Sequence, residues 1–516
     1  MKSAISSKSI SQRKAGILLS YAGQGIHILS GLIYTPIMLR LLGQSEYGLY
    51  QLVQSVVSYL GLLSLGFNAS YMRFYAREKA RDNEDGVAKL NGMFMLIFLT
   101  ISMICILCGS VMIGNIRHIF GKGFTESEYG TARILMGLMI FSMAVSFPNS
   151  VFTCIVTSQE RFIFQKLLIL LQSLLNPFLS LPLLLLGYGS TGMVAVSTFL
   201  TVCVFIVNGY YCIKKLHAKF SFNGLQFSLL KEMWVFTFFI FLNQIIDQIN
   251  WSVDKFILGR FAGTIGVAVY SVGSQLNNLY VQLSSSVSNV FVPLVNKIVA
   301  ETDDRKELTD VFTKVGRIQF MIMMLILTGF IFFGKLFIRY WAGEGYNESY
   351  YITLLLLIPV SIPLIQNIGI EIQRAKNKHK ARSVVYFFIA VSNILMSIPL
   401  IKLYGPIGAG IGTCVSLFLG NGLFMNWYYY RKIDIDIPHF WKSILSIAPA
   451  LLFPVIYGII CVRFFPINSM LKLFLQIGIY GLIYAVSMFF FGMNKQEKGI
   501  INKPLRKIRG IFHSIF

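Results

Sequence analysis

Fourteen runs of mostly apolar residues follow one another along this chain with short polar breaks between them. Each is about 20 residues, the length a helix needs to cross a bilayer. They fall at 16–38, 48–71, 90–113, 130–156, 167–187, 190–212, 233–257, 266–293, 316–338, 350–372, 383–401, 405–430, 443–462 and 470–492. Hydrocarbon offers no water to the backbone, so such runs must satisfy their own N–H and C=O groups and fold as helices. Only 13% of the residues are charged and 55% are hydrophobic, against about 25% charged in soluble domains. The expected fold class is an all-α membrane protein with about 14 transmembrane helices. The first run is interrupted by Pro36 and the eighth is rich in Ser, Asn and Gln, so these two are the least regular.

The net charge of +23 follows from the loops of a membrane protein, and no nucleic-acid motif accompanies it. Counted over alternate connections, Lys and Arg split 34 against 10, with Arg133 just inside a run. The positive-inside rule then predicts a multi-pass protein of the cytoplasmic membrane with both termini cytoplasmic. The first 14 residues are polar and basic, and the run after them is too long for a signal-peptide core, so it reads as a retained span. No connection exceeds roughly 25 residues, which leaves no room for a soluble catalytic domain. Cys105 and Cys108 form a lone C-x-x-C with no histidine or second pair beside it, so neither metal nor disulfide is expected. The closing run KPLRKIRGIFHSIF reads either as an amphipathic helix on the anionic leaflet or as a solvated tail.

Two patterns recur at a nearly constant offset. Arg40-Leu-Leu-Gly43 with Tyr50 matches Arg260-Phe-Ala-Gly263 with Tyr270, 220 residues on, and Tyr188-Gly189-x-x-Gly192 matches Tyr404-Gly405-x-x-Gly408, 216 residues on. Between them Gln159 and Asn176 correspond to Gln373 and Asn393. Three matches in order predict a duplication: an N-lobe at 1–220 with spans 1–6, a C-lobe at 221–435 with spans 7–12, and an appendix at 436–516 with spans 13 and 14. Six spans per copy keep one orientation, so the copies are expected as parallel repeats in pseudo-twofold relation, with a substrate site between them near the midplane.

The stretch Leu242–Gly263 carries the sharpest anomaly. Asn243, Asp247, Asn250 and Asp254 recur at helical spacing on one stripe of an otherwise apolar segment. A carboxylate in a membrane helix costs about 2.5–3.5 kcal/mol, so Asp247 needs a partner or a function. Asp254, beside Lys255, reads equally as an interface ion pair; His27 and Glu371 complete the titratable candidates. Gln275, Asn278 and Gln282 form a second stripe on span 8, and Gln51 sits on span 2. Both stripes read as cleft lining or as interhelical glue. Arg40 and Arg260 end paired helices and Arg73 lies at the inner mouth of span 2, placed either as topology anchors or to pair with an anionic head group.

The runs RLLGQSEYGLYQLV, DKFILGRFAGTIGVAVYSVGSQL and KLYGPIGAGIGT, on fourteen spans in a six-plus-six duplication, resemble the oligosaccharide flippases of the Wzx type, the polysaccharide transporter family. That family shares a superfamily with multidrug and toxin extruders and the lipid II flippases. The resemblance covers the whole chain, although Wzx-type members have twelve spans. It implies transport, not enzymatic catalysis: an undecaprenyl-diphosphate-linked oligosaccharide moved between leaflets by alternating access, with Na+ or H+ coupling and no cofactor. Implied partners are the lipid-linked substrate, membrane lipids and polysaccharide assembly proteins, but not nucleic acid. Arg40, Arg73 and Arg260 are the implied cavity cations, and Asp247 the implied coupling acid. An ion-coupled multidrug extruder, a lipid II flippase and a membrane polysaccharide polymerase stay open as alternatives.

Overall fold

The computed structural model describes residues 2–121, 123–223, 227–376, 378, 380–465 and 467–499; the run KPLRKIRGIFHSIF lies outside the described residues. Among these, all regular structure is helical. Twelve stretches of the described residues are long and apolar enough to cross a membrane. Two of them, Ala22–Ser64 with 43 residues and Gln244–Asn289 with 46, are about twice the length of one crossing. Each belongs to a helix bent at a glycine: α1 (Lys2–Ser58) at Gly43, with φ 73° and ψ 175°, and the helix Phe227–Asn289 at Gly263, with φ 67° and ψ −171°. Only glycine adopts that backbone without strain. The two bends turn twelve stretches into the fourteen expected crossings.

The helices between and after these are α2 (Phe67–Ala80), α3 (Glu84–Gly114), α4 (Glu126–Ser158), α5 (Phe162–Leu185), α6 (Gly189–Tyr210), α7 (Phe227–Asn289, bent at Gly263), α8 (Val292–Glu301), α9 (Arg305–Trp341), α10 (Glu348–Ile365), α11 (Ile368–Ala375), α12 (Lys380–Tyr404), α13 (Pro406–Leu417), α14 (Ile437–Leu445), α15 (Leu452–Phe464) and α16 (Met470–Ser487). The duplication is written into their ends. Left-handed residues recur in pairs 216–222 residues apart: Gly43 and Gly263, Asp82 and Asp303, Gly121 and Gly343, Gly189 and Gly405, His217 and Asp434. Wide π-helical turns close both copies, at Tyr211–Lys215 and Tyr429–Ile433. Asn176 donates to Ser197 Oγ at 3.1 Å, and its counterpart Asn393 accepts from Thr413 at 3.4 Å.

The chain divides into two compact units, one of residues 1–271 and 394–409, the other of 272–393 and 410–516. In the first, α3 packs on α4, α4 on α6 and α1 on α5. The segment after α6 straps back along α3. Ser221 N donates to Ala88 O at 2.9 Å, and Asn91, itself held by the Tyr71 hydroxyl at 2.6 Å, donates to Lys219 O at 2.9 Å. Gly92 admits the strap because a β-carbon there would lie 2.1 Å from Ser221 O.

In the second unit an aromatic cluster joins α9 to the helices that follow the duplication. Phe312 lies 4.7 Å from Phe440 and 5.6 Å from Tyr429 between ring centroids. Below it sits a buried clamp. Arg317, which counts toward the basic connections in the sequence, is 6% exposed. Its Nε and Nη2 meet the two oxygens of Glu497 at 2.7 and 3.0 Å, and its remaining donors reach Ser443 O at 2.7 Å, Ser446 Oγ at 3.0 Å and Gly492 O at 2.9 Å. One guanidinium therefore ties α9 to the end of α14 and to the stretch that follows α16. Breaking one side of such a pair leaves a buried charge uncompensated, at about 3–5 kcal/mol. Glu497→Ala and Arg317→Met are each expected to lower the unfolding temperature in detergent markedly, and the apolar double variant Arg317→Met with Glu497→Leu to recover much of the loss.

Candidate functional site

One set of polar groups in the first unit meets along a seam between two helices. The second half of α1 and the first half of α7 run antiparallel, and each offers polar residues at i, i+4 and i+7: Gln51, Ser55 and Ser58 on α1, and Gln248, Ser252 and Lys255 on α7. That spacing puts each trio on one helix face. Lys255 Nζ donates to Gln51 Oε1 at 3.0 Å, and Gln51 Nε2 donates to Tyr47 Oη at 3.1 Å. Gln248 Nε2 reaches Ser58 Oγ and also Ser252 Oγ, the latter at 3.0 Å. Ser55 and Ser58 turn their hydroxyls onto Leu52 O and Ser55 O of their own helix. Lys255 lies eight residues before Gly263, about 12 Å along a helix rising 1.5 Å per residue, well inside a hydrocarbon layer of about 30 Å.

This seam is not the stripe singled out in the sequence but the face next to it, about 100° round the helix. Asp254 points elsewhere. It is 3% exposed and accepts from Tyr270 Oη at 2.7 Å and Ser397 Oγ at 3.4 Å. Tyr34, Tyr50 and Ser180 hold the corresponding positions in the first copy, so Asp254 occupies a packing position common to both copies. Lys255, read from sequence as a partner for Asp254, reaches Gln51 instead. Asp247 is exposed and Asn250 half-buried; the side chain of Asn243 lies outside the described residues.

The other candidates separate. Arg40 is exposed just before the Gly43 bend, and Arg260 is exposed just before Gly263, where its side chain passes the backbone of Gly121. Arg73 is exposed on α2, four residues before Arg77, whose guanidinium lies 4.6 Å from the Phe74 ring and 3.5 Å from Glu78. Next to it a cavity of about 320 Å³ opens between α2 and α4, lined by Asn68, Met72, Ser150, Thr153, Cys154 and Thr157. His27 is exposed on α1. Glu371 pairs with Arg374 at 2.7 Å on α11. Gln275 and Gln282 are half-buried and Asn278 exposed, all in the second unit. No cluster of three or more His, Cys, Asp or Glu able to hold a metal ion occurs among the described residues.

Lys255, Gln248 and Ser252 are what sequence reasoning passed over. The signal was present, since their spacing repeats that of Gln51, Ser55 and Ser58. A lysine held by an amide oxygen can exchange that neutral acceptor for an anion without first breaking an ion pair, which makes Lys255 the best-placed cation of the seam for a negatively charged ligand.

Known proteins resemble this chain in sequence and in fold. A putative O-antigen transporter of Shigella flexneri is 22% identical over 419 residues, covering 80% of this chain and 96% of that protein. The fold matches the lipid II flippase MurJ in an inward closed conformation, with a TM-score of 0.73 at 19% identity over 92% of this chain and 98% of that one. It also matches an inward-facing multidrug resistance MATE family transporter of the MOP superfamily, with a TM-score of 0.63 at 15% identity over 81% and 96% of the two chains. The family model described as polysaccharide biosynthesis protein matches residues 14–299, more than half of the sequence, and the chain belongs to that family.

Proposed function

We propose that this protein is a flippase that carries an undecaprenyl-diphosphate-linked oligosaccharide from the cytoplasmic to the outer leaflet by alternating access, for capsule or other cell-surface polysaccharide. The observation that carries the reading is Lys255, a cation held on Gln51 between two membrane-crossing helices, in a chain of the polysaccharide biosynthesis family. A diphosphate needs a cation inside the membrane, and an oligosaccharide needs neutral hydrogen-bonding groups. The seam supplies the first in Lys255 and the second in Gln51, Gln248 and Ser252. In this reading Gln275, Asn278, Gln282, Asn243 and Asn250 serve the sugar, Arg73 meets the head group on entry, and Arg40 and Arg260 meet it on exit. The split of 34 basic residues against 10 supports cytoplasmic termini, and the two copies at 1–220 and 221–435 act as the rocking lobes. Asp247 couples transport to Na+ or H+, since acids within membrane-crossing helices mark ion and proton pathways. Membrane lipids and polysaccharide assembly proteins are the proposed partners.

The direct test is reconstitution into vesicles holding a fluorescent undecaprenyl-diphosphate oligosaccharide in one leaflet, scored by its appearance in the other. Flipping above protein-free vesicles is expected; export of cationic dyes without lipid movement would favour the multidrug reading instead. Hydrogen bonds to charged groups contribute about 1.5–3 kcal/mol, so Lys255→Met should lower flipping by roughly tenfold or more, with Lys255→Arg retaining more. Asp247→Asn should abolish or strongly lower flipping at an unchanged level of folded protein; undiminished flux would remove Asp247 from the mechanism. At Arg73, Lys should preserve more activity than Gln if head-group charge is what the site reads.

A further inference from the structure

Outward from the Lys255–Gln51 contact the same two helices close on each other through their glycine corners. Gly259 lies against Leu52, where a β-carbon would fall 2.5 Å from Leu52 Cδ1. At Gly48 the approach is backbone to backbone: a β-carbon there would lie 1.8 Å from Thr264 O and 3.2 Å from Ala268 N. Ser45, two residues past Gly43, and Thr264, one residue past Gly263, bring their hydroxyls to 3.0 Å. The two corners are counterparts in the duplication, and they meet directly.

A third element holds them. Glu128, in the first turn of α4, has one carboxylate oxygen fixed by the cap of its own helix, where Oε2 accepts from Thr125 N at 2.8 Å and Thr125 Oγ1 at 3.0 Å. That leaves Oε1 aimed at the corners, and it accepts from Ser45 Oγ at 2.7 Å and from Thr264 Oγ1 at 3.4 Å. We infer that Ser45, Glu128 and Thr264 form a latch that holds the basic-poor ends of the two copies closed, and that this latch must part in each transport cycle. The inference rests on the alternating-access reading above.

The chemistry of the contact suits a latch and not a weld. At the corners themselves the contact runs through Gly48 and the hydroxyls of Ser45 and Thr264. Each released hydroxyl and the released carboxylate oxygen can be taken up by water at that face. Glu128 stays anchored by Thr125 when the corners leave, so it remains in position for reclosure. A single carboxylate therefore reads whether both corners are in place, since its acceptor atom is shared between them.

The test uses the full chain with Ser45→Cys and Thr264→Cys together. Hydroxyls 3.0 Å apart place the replacing thiols within reach of a disulfide of about 2.05 Å. Reduced protein should flip the lipid-linked oligosaccharide, oxidation should stop flipping at least tenfold, and reduction should restore it, while either single variant stays insensitive to oxidant. Oxidised, cross-linked protein that flips at the reduced rate overturns the inference, as does failure of the pair to cross-link. A second readout does not need transport. In Thr264→Cys protein, Glu128→Gln should raise labelling of that thiol by a membrane-impermeant maleimide several-fold, and unchanged labelling overturns the latch. If reduced protein flips no lipid-linked oligosaccharide while labelling still rises, the function proposed above fails and the latch stands.

Discussion

Everything in this structure answers to the absence of water around the membrane-crossing backbone. A helix is the one element that satisfies its own N–H and C=O groups there, so the chain departs from helix only where another group takes over. Glycine makes the turns at Gly43 and Gly263, and side chains cap the helix starts. Asn83 accepts from Gly86 N at 2.9 Å to open α3, and Asp304 accepts from Lys306 N and Glu307 N, each at 3.3 Å, to open its counterpart α9. The strap on α3 obeys the same rule, because each of its backbone bonds replaces one that water would otherwise make.

The two copies keep this geometry and vary the chemistry. At the start of α6, Glu46 Oε1 accepts from Ser190 N at 2.6 Å and Ser190 Oγ at 2.7 Å, covering a helix N-terminus that has donors to spare. In the second copy the equivalent residues are Gly266 and Pro406, and a β-carbon at Gly266 would sit 3.4 Å from Pro406 Cγ. Proline at the first helical position has no N–H, so no acceptor is needed. The carboxylate has become a glycine and the contact has become van der Waals, with the corner kept in place. Asp254 shows the reverse exchange, an acid where the first copy has Tyr34.

Much of the candidate site was legible in the residues, but not which face of each helix it occupies. On α1 the trio Gln51, Ser55 and Ser58 stands out against an apolar background and does meet a partner. On α7 two polar stripes lie side by side, and the acidic one draws attention because charge is rarer than amide in such a segment. The neighbouring stripe is the one that faces α1. Hydropathy and spacing give the period of a helix and leave its rotation about its own axis to whatever packs against it. Arg317 and Glu497 escaped for a related reason: each looks like an ordinary loop charge until residues 180 apart are brought together.

By itself, the sequence determined the number of crossings, the asymmetry of basic charge, the duplication and its glycine corners. All of these are properties of length, composition and local backbone freedom, which act within a few residues. Only the tertiary structure decided that Lys255 turns to Gln51 and Asp254 to Tyr270, that Glu128 reaches both corners, and that the end of α14 and the stretch after α16 are clamped to α9. Those outcomes depend on which side chains from distant parts of the chain compete for one donor or acceptor, and that competition is settled only when the helices pack.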